Sequence, residues 1–140
     1  MRPLDQLGVR AQSDVDPWFD QGWPLADEDD RIALPQGALE LLALRTLSRG
    51  ALHGYAIAQA VQRQSREALR IEEGSLYPAL HRMERHGWID SEWGQTDSGR
   101  RAKFYALTPT GRKRLKAERK AWERMTNAVG LVLRGQGAEA

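Results

Sequence analysis

Tyr77, His81 and Arg85 recur at steps of four, with Pro78 and Arg82 beside them. On a helix, such a row lines one face. A phenol, an imidazole and two guanidinium groups in line are donors for phosphate oxygens and base edges, and a guanidinium can fork onto guanine. Leu76, Leu80 and Met83 recur at the same period and predict a core-facing stripe. Three local signals frame the helix. Ser75 is the expected N-cap, its hydroxyl taking a free backbone N–H. Pro78 is expected in the first turn, where it removes no hydrogen bond. Gly87 supplies the left-handed residue that closes the helix. A helix of about a dozen residues fits a DNA major groove. The plain alternative is an amphipathic surface helix whose charged face is merely solvated.

Such a helix needs a frame. Residues 88–93 alternate with period two, placing Ile89, Ser91 and Trp93 on one face of a strand. Residues 94–99 are turn formers, and residues 100–107 return as a second strand. Arg100, Arg101 and Lys103 put three cations near the tip of this hairpin. A two-stranded hairpin is marginal alone and must pack on helices, for which Trp88, Ile89 and Phe104 are available. Upstream, residues 35–47 predict a buried first helix, residues 48–54 a connector, and residues 55–66 a second helix with Ile57, Ala60 and Val61 inward. The expected fold is mainly α with a small β-hairpin: a winged helix-turn-helix. In that layout Ser75 and Tyr77 grip phosphate at a helix N-terminus, and Pro78, His81 and Arg82 face base edges. Arg85 extends the same face, Arg100, Arg101 and Lys103 are wing contacts, and Tyr55 either touches backbone phosphate or belongs to the core.

Thr108 followed by Pro109 is a helix start. The chain stays helical in composition to about Leu133, on the order of 38 Å at 1.5 Å per residue. Leu115, Trp122, Met125, Val129 and Val132 form a heptad-like seam interrupted by Glu118, with cations on the other faces. One small domain cannot cover so long a helix, so the seam is expected to pair with a second copy. Two reading helices about a two-fold axis would meet pseudo-palindromic half-sites about one DNA turn apart.

Several blocks carry a family resemblance. They are Leu41-Leu42, Leu47, His53-Gly54-Tyr55-Ala56-Ile57, Glu73-Gly74-Ser75-Leu76-Tyr77-Pro78-Ala79-Leu80, Gly87-Trp88-Ile89 and residues 100–112. In this order they resemble the PadR family of bacterial transcriptional regulators, in its short branch with one long C-terminal helix (the acidobacterial-type members included). The resemblance covers residues 33–134 and leaves 1–31 unmatched. It implies a DNA-binding regulator, mostly repressing, that acts as a homodimer. Some short members of that family bind flat aromatic compounds between the long helices, so the resemblance makes Trp122 a candidate for such an effector, the alternative being plain packing in the seam.

Net charge divides unevenly. Residues 1–31 hold three Lys/Arg against eight Asp/Glu, 3 − 8 = −5, and residues 32–140 hold eighteen against eleven, 18 − 11 = +7. A basic domain behind an acidic leader suits a nucleic-acid binder with a separate arm. The expected organisation is an irregular acidic extension over 1–32, the winged domain over 33–107, a dimerisation helix over 108–134 and a tail over 135–140. The chain has no cysteine, no apolar run of membrane-spanning length and no signal-peptide core, which suits the cytoplasm. No catalytic constellation, metal site or cofactor motif stands out. His81 and His86 lie on different helix faces, and residues 94–99 precede no helix start. The rival to a DNA binder is a winged helix used for protein–protein contact, which would show an apolar or acidic outer face where this chain has Tyr77, His81, Arg82 and Arg85.

Overall fold

The computed structural model describes Ile32, Leu34, Pro35 and residues 37–135. The expected irregular extension up to residue 31 and the tail beyond residue 135 lie outside the described residues. Within them run a helix α1 (Ala38–Leu47), a two-residue strand β1 (Leu52–His53), helices α2 (Gly54–Gln64) and α3 (Glu73–Arg85), strands β2 (Ile89–Gln95) and β3 (Arg101–Leu107), and a last helix α4 (Pro109–Arg134). Helix, helix, helix, hairpin, long helix is the expected order.

The core forms where the helical stripes converge. Leu44 and Leu47 of α1, Ile57 and Val61 of α2, and Leu76, Leu80 and Met83 of α3 are buried together, with Ile71, Ile89 and Tyr105 closing the cluster. Leu76, Ala79, Leu80 and Met83 expose none of their surface. Burial of a large apolar side chain contributes about 1.5–3 kcal/mol, so this stripe fixes the rotation of α3 about its axis.

The sheet has three strands, not two. Leu52 and His53 lie antiparallel to Tyr105 and Phe104, so β3 sits between β1 and β2. The hairpin pairs in the register Ile89–Leu107 through Gln95–Arg101. The extra strand answers the marginal stability of a lone hairpin. Tyr105 rather than Phe104 is the buried anchor, since β1 pairing and strand alternation turn Tyr105 inward. Phe104 instead meets the ring of His53 edge-on at 5.4 Å.

The C-terminal ends of α2 and α3 are closed alike. At the end of α3 the N–H of Trp88 reaches the carbonyl of Met83 and that of Gly87 reaches Glu84, with Gly87 at φ 78°. At the end of α2 the N–H of Glu67 reaches Gln62, but Arg66 and Glu67 hold the left-handed conformation at φ 55° and 70°. This closure normally uses glycine, and without one the sequence does not mark the end of α2 at Gln64, before the expected residue 66.

The start of α4 agrees with expectation. Thr108 caps it, accepting from Gly111 N–H at 3.0 Å, and Pro109 occupies the first turn. The same hydroxyl donates toward the carbonyls of Gly87 and Trp88, and the Thr108 N–H bonds the Trp88 carbonyl at 3.0 Å. Gly111 is buried in this joint, and a Cβ there would stand 2.0 Å from the Trp88 carbonyl oxygen. Gly111→Ala is therefore expected to destabilise the domain by about 1–3 kcal/mol, because backbone must shift. A Cβ at Gly130 would meet only the flexible end of Arg134. Gly130→Ala is expected to stabilise by about 0.5–1 kcal/mol through helix propensity. Urea midpoints of the two variants check the contrast; equal shifts would remove the joint from the account.

Candidate nucleic-acid interface

Helix α3 begins earlier than its sequence signals suggest. Glu72 is the N-cap residue and makes no side-chain cap bond, while Ser75 is exposed at the third helical position. The expected Ser75 cap is therefore wrong: Ile71 is buried in the core just ahead of the helix, and the cap falls on Glu72, three residues sooner. Pro78 consequently lies inside the helix rather than in its first turn, where it leaves the Gly74 carbonyl without its intrahelical partner. That carbonyl and the Ser75 hydroxyl are on exposed residues at the same end of α3.

The outer row divides. Tyr77 is half-buried and packs against the hydrophobic cluster, whereas Pro78, His81, Arg82 and Arg85 are exposed. The Arg82 guanidinium meets the Glu40 carboxylate of α1 at 3.2 Å. Both groups keep solvent contact, so the pair is worth at most about 1 kcal/mol. Glu40 was not legible as a partner because it lies 42 residues upstream.

The wing carries its cations beside the tip, as expected. Its tip is Asp97, Ser98 and Gly99, all exposed, and Gly99 takes φ 87° in a turn closed by its own N–H to Thr96. Arg100 stands half-buried beside the turn, and Arg101 lies over the Trp93 ring at 4.2 Å. Lys103 points toward the Glu84 carboxylate of α3 at 3.7 Å. Glu84 also accepts a hydrogen bond from the Ser91 hydroxyl of β2. One carboxylate thus ties the helix to both wing strands.

His53 is a further residue that sequence reasoning passed over. Its Nδ1 accepts from the Ala56 N–H at 3.2 Å and caps α2, while its ring stacks on half-buried Tyr55 at 6.4 Å. A histidine is an unusual cap, so nothing in the sequence flagged it. Burial lowers its pKa below the ordinary value, opposed by the Asp97 carboxylate of the wing.

The seam of α4 divides as well. Leu115 packs against the domain's own core, so the uncovered seam starts at half-buried Trp122. Met125 and Val129 are each 46% exposed, Val132 and Leu133 79%. Large apolar side chains left in water along one helix mark a surface that is covered by something. Among the described residues no group of three or more His, Asp or Glu is placed to hold a metal ion, and no helix is long and apolar enough to cross a membrane.

Three helices, a wing and an exposed basic third helix define a winged helix-turn-helix protein. Residues 43–117, more than half of the chain, match the sequence model of the Transcriptional regulator PadR-like family. A transcriptional regulator of Mycobacterium tuberculosis is 36% identical over 94 residues, spanning 67% of this chain and 84% of that protein. A PadR family transcription regulator from Clostridium difficile has the same fold, with a TM-score of 0.58 at 30% identity, over 69% of this chain and 99% of the other. One from Eggerthella lenta gives a TM-score of 0.61 at 30% identity, over 72% and 86%. The chain belongs to the PadR-like family and is a transcriptional regulator of that family.

The cap on α2 has a pH consequence. The folded state holds His53 neutral, so the unfolded chain takes up its proton first as pH falls. The stabilisation is complete above the ordinary value of 6.5 and is lost as pH falls below it through the lowered folded value. The asparagine variant His53→Asn can still cap but does not titrate. Wild type is expected to lose more stability than His53→Asn between pH 7.5 and pH 5.5, read from urea midpoints; parallel losses would clear His53 of the effect.

Proposed function

We propose that the chain binds double-stranded DNA as a homodimer in the cytoplasm and represses transcription from a pseudo-palindromic operator. The observation that carries this reading is the two-sidedness of α3. Its inner stripe is wholly buried, and its outer face presents His81, Arg82 and Arg85 to solvent. A helix held that way offers its donors to a groove without rearrangement. His81 and Arg82 are assigned to base edges, Arg85 to the groove margin, and Ser75 with Pro78 to the end of the helix nearest a phosphate. Tyr77 and Tyr55, both half-buried, would contribute through their phenol edges only. Arg100, Arg101 and Lys103 are assigned to phosphates beside the wing. Met125, Val129 and Val132 are assigned to the dimer seam, with Leu115 serving the domain core and Trp122 at the boundary between the two. A flat aromatic ligand between paired α4 helices near Trp122 would lower operator affinity by preferring another spacing of the reading heads, a coupling of typically about 1–3 kcal/mol.

Two experiments test the reading. His81→Ala with Arg82→Ala is expected to abolish protection of the DNA upstream of the protein's own gene, while circular dichroism shows an unchanged fold. Full protection by this double variant would remove α3 from recognition. Val129→Asp is expected to convert a sedimenting dimer to a monomer, because a carboxylate must be desolvated in the seam. A dimer that persists at low micromolar concentration would place the interface elsewhere.

A further inference from the structure

The acidic leader is absorbed by nothing in the proposed function. Residues 14–30 carry seven carboxylates, Asp14, Asp16, Asp20, Asp27, Glu28, Asp29 and Asp30, and no Lys or Arg. The remainder from residue 32 carries a net +7. Where this stretch joins the fold is informative. Ile32 pairs with Leu69 in the connector between α2 and α3, four residues ahead of the first residue of α3. Ile32, the residue from which the described chain begins, thus lies beside the connector that leads into α3.

A second observation lies at the same place. Arg70, next to Leu69, has a side chain only 10% exposed. Its Nη2 stands 3.4 Å from Glu67, a contact at the long edge of hydrogen-bond distance, and its buried Nε and Nη1 meet no acceptor among the described residues. Orphaned N–H groups on a buried guanidinium are costly and call for an acceptor. Arg85 and the His81 ring, further along α3, stand exposed on the face assigned to DNA. Glu40 already engages Arg82.

We propose that residues 14–30 dock on this same chain, the carboxylates nearest Ile32 meeting Arg70 and the earlier ones lying along the outer face of α3, where they compete with DNA. The proposal rests on the assignment of that face to DNA. The segment is an acidic peptide tethered beside its site, and its charge matches the phosphate backbone it displaces. A short flexible tether gives an effective concentration on the order of 1 mM. A segment that binds in trans at roughly 0.1 mM would then weaken DNA binding about tenfold.

The test uses the full chain and a full-length variant with the seven carboxylates changed to Asn or Gln. A labelled peptide of residues 14–30 is first titrated with the variant, without DNA. Saturable binding near 0.1 mM is expected, weakened several-fold by added Arg70→Gln or by the exposed pair His81→Ala and Arg85→Ala. Both chains are then titrated against a 30-base-pair duplex of random sequence over a range of salt. The variant is expected to bind about tenfold tighter and with a steeper salt dependence, since the native chain has already neutralised cations that would displace counterions. Peptide added to the variant should restore the weaker binding. A peptide that fails to bind overturns the docking while leaving DNA binding intact. A peptide that binds without altering DNA affinity overturns the competition. Salt-dependent DNA binding by neither chain, with the peptide still bound, would sink the DNA assignment and keep the docking.

Discussion

The joint between the end of α3 and the start of α4 governs how this molecule is assembled. Gly87 and Trp88 turn the chain out of α3, and Thr108 returns 20 residues later to bond both of their carbonyls. Gly111 lets the first turn of α4 approach closer than any side chain would permit. Trp88 is gripped further by Arg114, 4.5 Å above its ring, and by His86, stacked at 4.6 Å. The turn that leaves α3 and the first turn of α4 are thereby bonded to each other at the base of the wing. The wing leaves from this same joint and returns to it, so hairpin, reading helix and long helix share one origin.

Around that origin the polar contacts bind elements together more than they bind partners. Glu84 holds both wing strands, His53 serves the cap of α2 and the underside of the sheet, and Glu40 reaches across to Arg82. Each is individually weak and solvent-accessible in part. Together they tie α3 to the wing and to α1.

Most of the architecture was legible because it rests on local rules. The period of Leu76, Leu80 and Met83 gave the buried stripe of α3, Gly87 its end, and Thr108-Pro109 the start of α4 within a residue. What sequence could not show was set by contacts across the chain. The start of α3 moved because Ile71 is drawn into the core, and Pro78 followed it inward. The end of α2 carried no glycine to mark it. Two residues of the connector became a strand only because β3 offered them an edge. For the site, residue types placed the exposed cations of α3 correctly. They could not foresee that Lys103 would turn to Glu84, that Arg101 would lie on Trp93, or that Leu115 would serve the domain rather than the seam.

The length of α4 makes it a lever. Its 26 residues extend about 39 Å from the joint at Trp88. Because the first turn of α4 is bonded to the turn that leaves α3, a tilt about the far end of α4 reaches that joint as displacement. A rotation of about 5° over this span moves the near end by about 3.4 Å, which is the axial rise of one base pair. A small change in how the distal turns of α4 are packed is therefore magnified over the length of the helix and reaches α3 and the wing together.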